Sequence, residues 1–283
     1  MKRILLLSGT SEGPLLARAL LAAGFQVRAT VTRPEARDNL FGHLLSEVVG
    51  WVERSEAHQQ GHGGPRCARP TLQSLSVDVL GFTEQSLTEY LSCPEVDLVL
   101  DATHPFAVRI TRITQSVCER MGMPYMRYER PDWTPPTGTR FAESYAEAAA
   151  VLPSLGSRVL LTIGAKQLKH FAPLHGRLTM VARILPSPVS LQQALEFGFA
   201  EENLVRQRPP FSIEQNRELF RRYNVDVLVT KASGREGGVV EKVTAARDLA
   251  MKVLMIRRPE PTALGCVTTI EEAVCLCRKL VEK

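Results

Sequence analysis

The segment VDVLVTKASGREGGVVEKVTAA, Val225 to Ala246, contains the pattern that decides the fold class. Its beginning, Val225–Thr230, is short, apolar and rich in valine, which is typical of a parallel strand buried on both faces. Apolar residues return with helical spacing from Val239 to Ala250. Between strand and helix lie a cation, a hydroxyl and three glycines: Lys231, Ser233, Gly234, Gly237 and Gly238. This order predicts a turn whose backbone N–H groups face an anion, with an ordinary βα turn that needs glycine for its shape as the alternative.

Length and composition indicate a globular protein of two α/β domains. A chain of 283 residues is long for one hydrophobic core, and it has 44% hydrophobic and 23% charged residues. No apolar run in the sequence reaches the roughly 20 residues that cross a membrane. The beginning, MKRILLLSGT, is too short for a signal peptide and leads into a glycine turn, so we expect the first strand of a cytoplasmic protein.

Cysteine content and net charge indicate which kinds of ligand the protein is expected to bind. The six cysteines are scattered, without a CxxC pair or a His/Cys cluster at zinc spacing, so we expect reduced thiols and no metal. The net charge of +5 is modest and aromatic residues are only 6% of the chain, which disfavours a nucleic-acid partner. An acidic small molecule fits this balance better.

The first βα unit has the plan of a nucleotide-binding domain. Arg3–Ser8 is an apolar strand, a helix follows, and Gln26–Val31 is the second strand. The turn between strand and helix contains Gly9, Thr10, Glu12 and Gly13. Because its glycine spacing is G-x-x-x-G, the G-x-G-x-x-G dinucleotide fingerprint is not met.

The end of the second strand bears on the choice of cofactor. A site for NAD usually has an acidic residue there for the ribose 2′-hydroxyl, whereas a site for NADP tends to have an arginine. Here Arg33 comes first, and the first acidic residue, Glu35, lies beyond Pro34. Arg33 is therefore a candidate ligand of a 2′-phosphate, with a solvated loop arginine as the alternative.

Residues 51–75 interrupt the pattern of alternating strands and helices in the first domain. The segment WVERSEAHQQGHGGPRCARPTLQSL has neither helical nor strand periodicity and is dense in Gly, Pro, Gln, His and Arg. We interpret it as a surface insertion of low order, because a long loop adds little to the closure entropy. Metal binding by His58, His62 and Cys67 is a weaker alternative, since their spacing matches no common ligand set.

Another buried strand, Val96–Leu100, ends in a cluster of polar residues. Ligands of open α/β sheets collect at the carboxyl ends of strands, so Asp101, Thr103 and His104 are candidate site residues. Capping of the following helix is the commoner use of Asp101 and Thr103. His104 lies at the mouth of the strand, where a core histidine is not expected.

The first domain is predicted at 1–130, a proline-rich linker at 131–139 and a second domain at 140–283. In the second domain, Leu160–Gly164 repeats the strand-and-glycine plan of the chain's beginning. Lys166, Lys169 and His170 follow on one side of a short helix, and Arg183 lies near the end of the next strand. These groups suit a ligand that bears carboxylates, and a solvated basic face is the alternative.

Six stretches of the chain stand out in order: DATHPFA (101–107), YMRYERPDW (125–133), LLTIGAKQLKHF (160–171), VARILPSP (181–188), PPFSIEQN (209–216) and VTKASGREGGVVEK (229–242). Together they resemble the corresponding stretches of the precorrin-6A reductase family of cobalamin biosynthesis. The resemblance covers nearly the whole chain apart from 51–75. The family's first turn usually reads GGTxEA, and this chain keeps Gly9, Thr10 and Glu12 but lacks one glycine.

The resemblance implies two Rossmann-like α/β domains with parallel sheets and an active-site cleft between them. It implies reduction of a ring double bond of precorrin-6A to precorrin-6B, with hydride from NADPH. Related enzymes of the anaerobic route act on cobalt-precorrin-6A and use NADH, which is the alternative reaction. A non-catalytic nucleotide-binding regulator is the alternative from another class. A short-chain dehydrogenase is disfavoured, because no tyrosine has a lysine four residues later.

The expected roles are cofactor binding, substrate binding and proton transfer. Cofactor binding suits Gly9, Thr10, Glu12, Arg33, Lys231, Ser233, Gly234, Gly237 and Gly238. Binding of a polycarboxylate tetrapyrrole suits Thr103, Lys166, Lys169, His170 and Arg183. His104, with Asp101 nearby, is the candidate proton donor, and water is the alternative. We expect a small-molecule substrate without nucleic-acid or membrane partners, and we favour a monomer.

Overall fold

The computed structural model describes residues 2–47, 75–93, 96–131, 133–259 and 266–281. The chain divides into two compact units, Met1–Arg130 with Glu260–Lys283, and Pro131–Pro259. Each unit contains one six-stranded sheet in which every strand pairing is parallel. The predicted α/β class with two parallel sheets is therefore confirmed. In the described part of the chain, no helix combines the length and the apolarity that a membrane span requires.

The first unit has the strand order of a dinucleotide-binding domain. Its strands are β1 Arg3–Leu7, β2 Gln26–Val31, β3 Leu75–Val79, β4 Leu98–Asp101, β5 Tyr125–Tyr128 and β12 Cys266–Val267. Its helices are α1 Glu12–Ala22, α2 Glu84–Ser92, α3 Val108–Met121 and α8 Ile270–Val281, with helical turns at Pro34–Ala36 and Arg37–Phe41. The order in the sheet is β3-β2-β1-β4-β5-β12, which is 3-2-1-4-5-6 with β12 in the sixth place.

The second unit repeats this order. Its strands are β6 Arg140–Ala142, β7 Arg158–Leu161, β8 Thr179–Ile184, β9 Leu204–Arg206, β10 Val227–Lys231 and β11 Lys252–Ile256. Its helices are α4 Tyr145–Val151, α5 Pro188–Glu196, α6 Ile213–Arg222 and α7 Val239–Asp248, with 3₁₀ turns that include Ala165–His170 and Arg235–Gly237. The order is β9-β8-β7-β10-β11-β6, so β6 takes the sixth place.

The two sheets exchange their sixth strands. β6 follows β5 in the chain but pairs with β11, whereas β12 follows β11 and pairs with β5, with Val267 opposite Tyr128. The prediction that 140–283 forms one domain is therefore wrong for its last segment. The physical reason is the apolar face of α8, which packs into the first unit's core through Ala273, Cys277 and Val281.

Alternation along β1 explains why helices cover both faces of the first sheet. Ile4 and Leu6 lie in one core cluster, and Leu5 and Leu7 lie in another. Side chains two residues apart share a face of a strand, so an apolar residue at every position requires two covered faces. Each fully buried leucine contributes about 1.5–3 kcal/mol of transfer free energy.

The predicted insertion and the predicted active-site cleft have different outcomes. The predicted insertion at 51–75 lies outside the described residues except for Leu75, which is buried and pairs with Val27 as the first residue of β3. Leu75 therefore belongs to the sheet. The predicted active-site cleft between the two domains stays a prediction.

Candidate active site

The carboxyl edge of the first sheet gathers the predicted residues of the first unit. The chain leaves β1 toward β2 and leaves β4 toward β5, and a crevice forms where two such directions diverge. Thr10 Oγ1 donates to the Ala102 carbonyl at 3.2 Å and ties the two loops together. This arrangement brings the β1–α1 turn, with Gly9, Thr10 and Glu12, beside the loop that contains Thr103 and His104.

The two glycines of the first turn differ in their surroundings. Gly9 is exposed, and a Cβ added to it would have no atom within 4 Å. A Cβ on Gly13 would lie 1.8 Å from Ser8 Oγ and 3.2 Å from a ring carbon of Phe41. Gly13 therefore allows close packing of α1 on the first strand, which is the role of the third glycine in the dinucleotide fingerprint. Gly9 leaves the outer side of the turn open to a ligand.

Glu12, predicted to bind the cofactor, forms a buried ion pair with Arg130. Arg130 donates from Nε to Glu12 Oε1 and from Nη2 to Oε2, the second bond being 2.8 Å long. Burial raises the pKa of Glu12, but the hydrogen bonds and charge of Arg130 outweigh burial, so the pKa is lowered and the carboxylate stays ionised. Glu12 holds the turn in place, and its contact with a cofactor stays a prediction.

Asp101 lies at the centre of a closed polar network. It has no exposed surface, and its Oδ2 accepts hydrogen bonds from Arg127 Nη1 at 2.7 Å and from the Tyr125 hydroxyl at 3.1 Å. Its Oδ1 accepts from the Thr103 amide and hydroxyl at 2.9 and 2.7 Å. The N-cap of α3 is Ala107, without a side-chain bond, so the alternative that Asp101 and Thr103 cap this helix is wrong.

Charge balance explains how this network tolerates burial. Burial lowers the pKa of Arg127, but the carboxylates of Asp101 and Glu129 raise it by more, so the guanidinium stays charged. Arg127 Nε donates to Glu129 at 2.8 Å, and Nη1 also donates to Thr111 at 2.9 Å. An enclosed carboxylate with these partners acts by positioning the loop that follows it. A direct proton transfer from Asp101 has no support in this geometry.

His104 lies at the mouth of β4, as the sequence predicts. It is half-buried, and its Nδ1 accepts a hydrogen bond from the Phe106 amide at 3.1 Å. A neutral imidazole that accepts at Nδ1 carries its proton on Nε2. The loop therefore selects the tautomer that has a donor at Nε2.

Arg33, predicted to contact a 2′-phosphate, follows the second strand of the first sheet, and its contact with a cofactor stays a prediction. It is exposed, and it lies two residues after β2, immediately before the turn Pro34–Ala36. β2 is the neighbour of β1, so Arg33 lies beside the β1–α1 turn along the same sheet edge.

The corresponding edge of the second sheet lies between β7 and β10. Thr162 donates from its amide and its hydroxyl to the Val229 carbonyl at 2.9 and 3.0 Å, and so joins the loop after β7 to β10. Lys231 is the last residue of β10, and the loop after it contains Ser233 and Gly237. Gly234 has φ +80° and Gly238 has φ +65°, values that side chains disfavour. Both glycines are thus required by the shape of the loop, whether or not it binds a ligand.

The three groups predicted to share one side of a helix do not all do so. Ala165–His170 is a 3₁₀ turn, in which residues three apart are aligned. Lys166 and Lys169 are therefore on one face, and both are exposed. His170 instead stacks on Tyr145, with ring centroids 5.5 Å apart and an interplanar angle of 14°. Burial, and then the charge of Lys169, lower the pKa of His170.

Arg183 is a buried cation held by two neighbours. Its Nη1 donates to Asn216 Oδ1 at 3.0 Å, and its guanidinium lies 4.0 Å from the centroid of the Phe211 ring. Asn216 is fixed in turn by a 2.7 Å bond to the Ser212 carbonyl. Burial lowers the pKa of Arg183 to about 10.

Lys242 is a residue that the sequence analysis missed. It is only 8% exposed on α7, and burial, followed by the charges of Arg183 and Lys231, lowers its pKa to about 7. The spacing of Val239, Lys242, Val243 and Ala246 places this lysine within the apolar stripe of the helix, and this signal was available in the sequence. Lys242 joins Arg183 and Lys231 in one cationic cluster.

Comparisons with known proteins agree with this architecture. The family model described as "Precorrin-6x reductase CbiJ/CobK" matches residues 64–278. The "Precorrin-6A reductase" of Rhodococcus erythropolis is 35% identical over 97% of this chain and 96% of its own length. The "Cobalt-precorrin-6A reductase" of a Synechocystis strain is 31% identical over 93% of this chain and 90% of its own length.

A solved structure described as "CobK precorrin-6A reductase" has a TM-score of 0.71 and 26% identity, and the match covers 99% of this chain and 97% of that chain. The likeness therefore extends over both units. With the family match over residues 64–278 and the near full-length similarity to curated relatives, the chain belongs to the precorrin-6x reductase family.

Proposed function

We propose that the protein reduces one ring double bond of precorrin-6A to give precorrin-6B, with NADPH as the reductant. Family membership supports the reaction class. The observation that carries the choice of cofactor is the edge of the first sheet. There an open glycine turn starts a helix, and an exposed arginine follows the neighbouring strand.

Three features of the first unit support NADPH as the cofactor. The turn at Gly9 and Thr10 begins α1, and the start of a helix favours an anion such as a pyrophosphate. The carboxylate of Glu12 would oppose this, but Arg130 neutralises it. Arg33 lies where the 2′-phosphate of NADPH would bind at the carboxyl end of β2. NADH has no 2′-phosphate, so Arg33 favours NADPH.

The second unit fits a substrate that bears several carboxylates. Lys166 and Lys169 present exposed charges just after β7, and Arg183 offers a charge at the end of β8. Leu185, immediately after that strand, and Val189, in the first turn of α5, remain 43% and 55% exposed. A tetrapyrrole has apolar ring faces and an acidic periphery, so a mixture of cations and exposed aliphatic side chains suits it.

In the proposed reaction, bound NADPH supplies the hydride to one carbon of the double bond. The neighbouring carbon takes a proton, which we assign to the imidazolium form of His104, with water as the alternative donor. The hydrogen bond from the Phe106 amide to Nδ1 favours the neutral form with its proton on Nε2, so the imidazolium gives up one proton and returns to this form. Asp101 and Arg127 fix the loop that begins at Thr103 and contains His104.

The test is a turnover assay with matched substrates and cofactors. Purified protein is mixed with precorrin-6A or its cobalt complex, and with NADPH or NADH, while cofactor absorbance and the tetrapyrrole spectrum are recorded. We expect stoichiometric NADPH oxidation with precorrin-6A. Faster reaction of the cobalt complex would favour the substrate that the Synechocystis relative's name gives, and faster reaction with NADH would favour NADH as the reductant. No oxidation in any combination would overturn the proposal and favour a nucleotide-binding regulator.

A further inference from the structure

Two buried cations of the second unit form no ion pair with any described residue. Arg183 and Lys242 are each 8% exposed. Among the described residues, neither forms an ion pair with a carboxylate, and Lys242 makes no side-chain hydrogen bond. Burial of an unpaired charge is strongly unfavourable, so the presence of two such cations requires a physical explanation.

Strand alternation places these groups on one face of the second sheet. Val181 and Leu228 pack against α7 in one core cluster. Residues two positions later lie on the same face, so Arg183 and Thr230 follow them at its carboxyl edge. Lys242 lies on the stripe of α7 that covers this face. The apolar core thus ends in a layer of polar groups.

This layer contains a second unsatisfied group. The hydroxyl of Thr230 is fully enclosed and has no hydrogen-bond partner among the described residues. The same is true of Glu241 Oε2, which lies 3.8 Å from the position that a Cβ on Gly238 would occupy. The charge of Glu241 raises the pKa of Lys242 by less than the charges of Arg183 and Lys231 lower it, so these three charges together give a positive potential at Lys242. A bound anion would compensate this positive potential.

We propose that Arg183 and Lys242, with Thr230 and the loop 231–238, form a binding site for a doubly charged anionic group, and that Lys242 takes up a proton when this group binds. The proposal rests on the proposed function only for the identity of the ligand. Two groups in that reaction share this chemistry, the paired carboxylates of the tetrapyrrole and a phosphate of the cofactor.

The proton uptake follows from the charges that surround Lys242. Burial and the repulsion from Arg183 and Lys231 lower the pKa of Lys242 to about 7, so near pH 8 most molecules carry a neutral lysine. A bound dianion cancels the repulsion and favours the ammonium form. Binding near pH 8 should therefore consume about one proton, and binding near pH 6 should consume almost none.

Isothermal titration calorimetry in two buffers of different ionisation enthalpy measures this proton. The probes are uroporphyrin I, which is an octacarboxylate tetrapyrrole, and NADP⁺. We compare the wild type with Lys242→Met, which keeps the length of the side chain, and with Lys252→Met, an exposed lysine at the opposite end of the sheet. Uptake with uroporphyrin assigns the site to carboxylates, and uptake with NADP⁺ assigns it to phosphate. Either result supports the proposal if Lys242→Met abolishes the uptake and weakens that probe at least about tenfold.

Thermal melting of the ligand-free protein provides a readout that does not depend on the reductase reaction. Lys242→Met removes a buried, repelled charge, so it should melt above the wild type near pH 6. Because the folded pKa is depressed, the wild type regains stability as the pH rises from about 7 to about 10.5, and the difference should shrink there. Sulfate, against chloride at equal ionic strength, should stabilise the wild type and Lys252→Met more than Lys242→Met.

Two outcomes overturn the proposal. One is the absence of a Lys242-dependent proton uptake with both organic probes together with equal sulfate effects in all three proteins. The other is a Lys242→Met variant that melts below the wild type near pH 6, which would show that Lys242 has a partner within the protein. Failure of the reductase proposal gives a different result, a loss of turnover in the wild type with the sulfate difference intact.

Discussion

Arg130 donates two hydrogen bonds to the carboxylate of Glu12, which lies 118 positions earlier in the chain. The two side chains are 6% and 5% exposed, so this is a buried, bidentate ion pair. It joins the segment after β5 to the first turn of α1. The shape of the proposed cofactor turn therefore depends on the last residue of the segment Met1–Arg130.

Loss of Arg130 should destabilise the protein strongly. Arg130→Met leaves the Glu12 carboxylate buried without its partner, and we expect a loss of about 3–5 kcal/mol of unfolding free energy in urea titrations. Glu12→Gln combined with Arg130→Met should recover much of that loss. As a control, Arg120→Met removes an exposed pair with Glu84 and should cost at most about 1 kcal/mol. Equal losses for Arg130→Met and Arg120→Met would contradict this interpretation.

The same pair predicts a pH dependence. Burial opposes ionisation of Glu12, but Arg130 outweighs it and holds the pKa below the ordinary value of 4.5. The contribution of a carboxylate with a depressed pKa is complete above the unfolded value and is lost as the pH falls through the folded value. Wild-type stability should therefore fall below about pH 4.5 more steeply than that of Glu12→Gln. Parallel stability curves for the two proteins would show that the pair makes no net contribution.

Replacement of Arg33 should change the preference between cofactors. A charge-assisted contact to a 2′-phosphate contributes about 1.5–3 kcal/mol, so Arg33→Ala should weaken NADPH about ten- to a hundredfold. The affinity for NADH should change little. Arg37→Ala, an exposed arginine on the adjacent helical turn, is the matched control. Equal losses for both cofactors would indicate a structural arginine, and no loss for either would place the adenosine end elsewhere.

Substitutions at the two glycines of the first turn should affect different properties, one the stability of the protein and the other the affinity for the cofactor. Gly13→Ala places a methyl group within contact of Ser8 and Phe41, and we expect a loss of about 1–3 kcal/mol in thermal or urea unfolding. Gly9→Ala meets open space and should leave stability unchanged, but the methyl group should weaken NADPH about tenfold by blocking the close approach to the turn. A Gly9→Ala protein with native affinity would move the cofactor away from this turn.

His104 should affect the chemical step more than binding. His104→Gln removes the acid while it retains a polar side chain, so kcat should fall about a hundredfold with a small change in KM. Single-turnover experiments separate this effect from product release. A decrease of less than about threefold would assign the proton to water.

The sequence predicts local units better than pairings between distant segments. The strand, turn and helix that begin at Val225 are visible because the pattern is contiguous, and the structure shifts the strand only to Val227–Lys231. The exchanged strands β6 and β12 contain three and two residues, too few for a periodicity to appear. Their position depends on pairing with β11 and β5, which no local pattern encodes.

Burial determines which of the predicted site residues remain candidates for contact with a ligand. The sequence predicts Glu12 and Asp101 as polar groups at strand ends, but it does not reveal that Arg130 and Arg127 enclose and neutralise them. Lys242 was missed for a different reason. The sequence shows it within the apolar stripe of a helix, but a lysine at such a position is usually assigned to the edge of the buried face.

The exchange of sixth strands has a consequence for synthesis on the ribosome. When the first 130 residues have emerged, the first sheet still lacks β12, and the edge of β5 has no neighbour. An unpaired edge invites association with other chains until it is covered. The second unit must therefore be translated in full before the first can be completed, and chaperones that shield nascent sheet edges should affect the yield of this protein more than that of a protein whose domains are sequential.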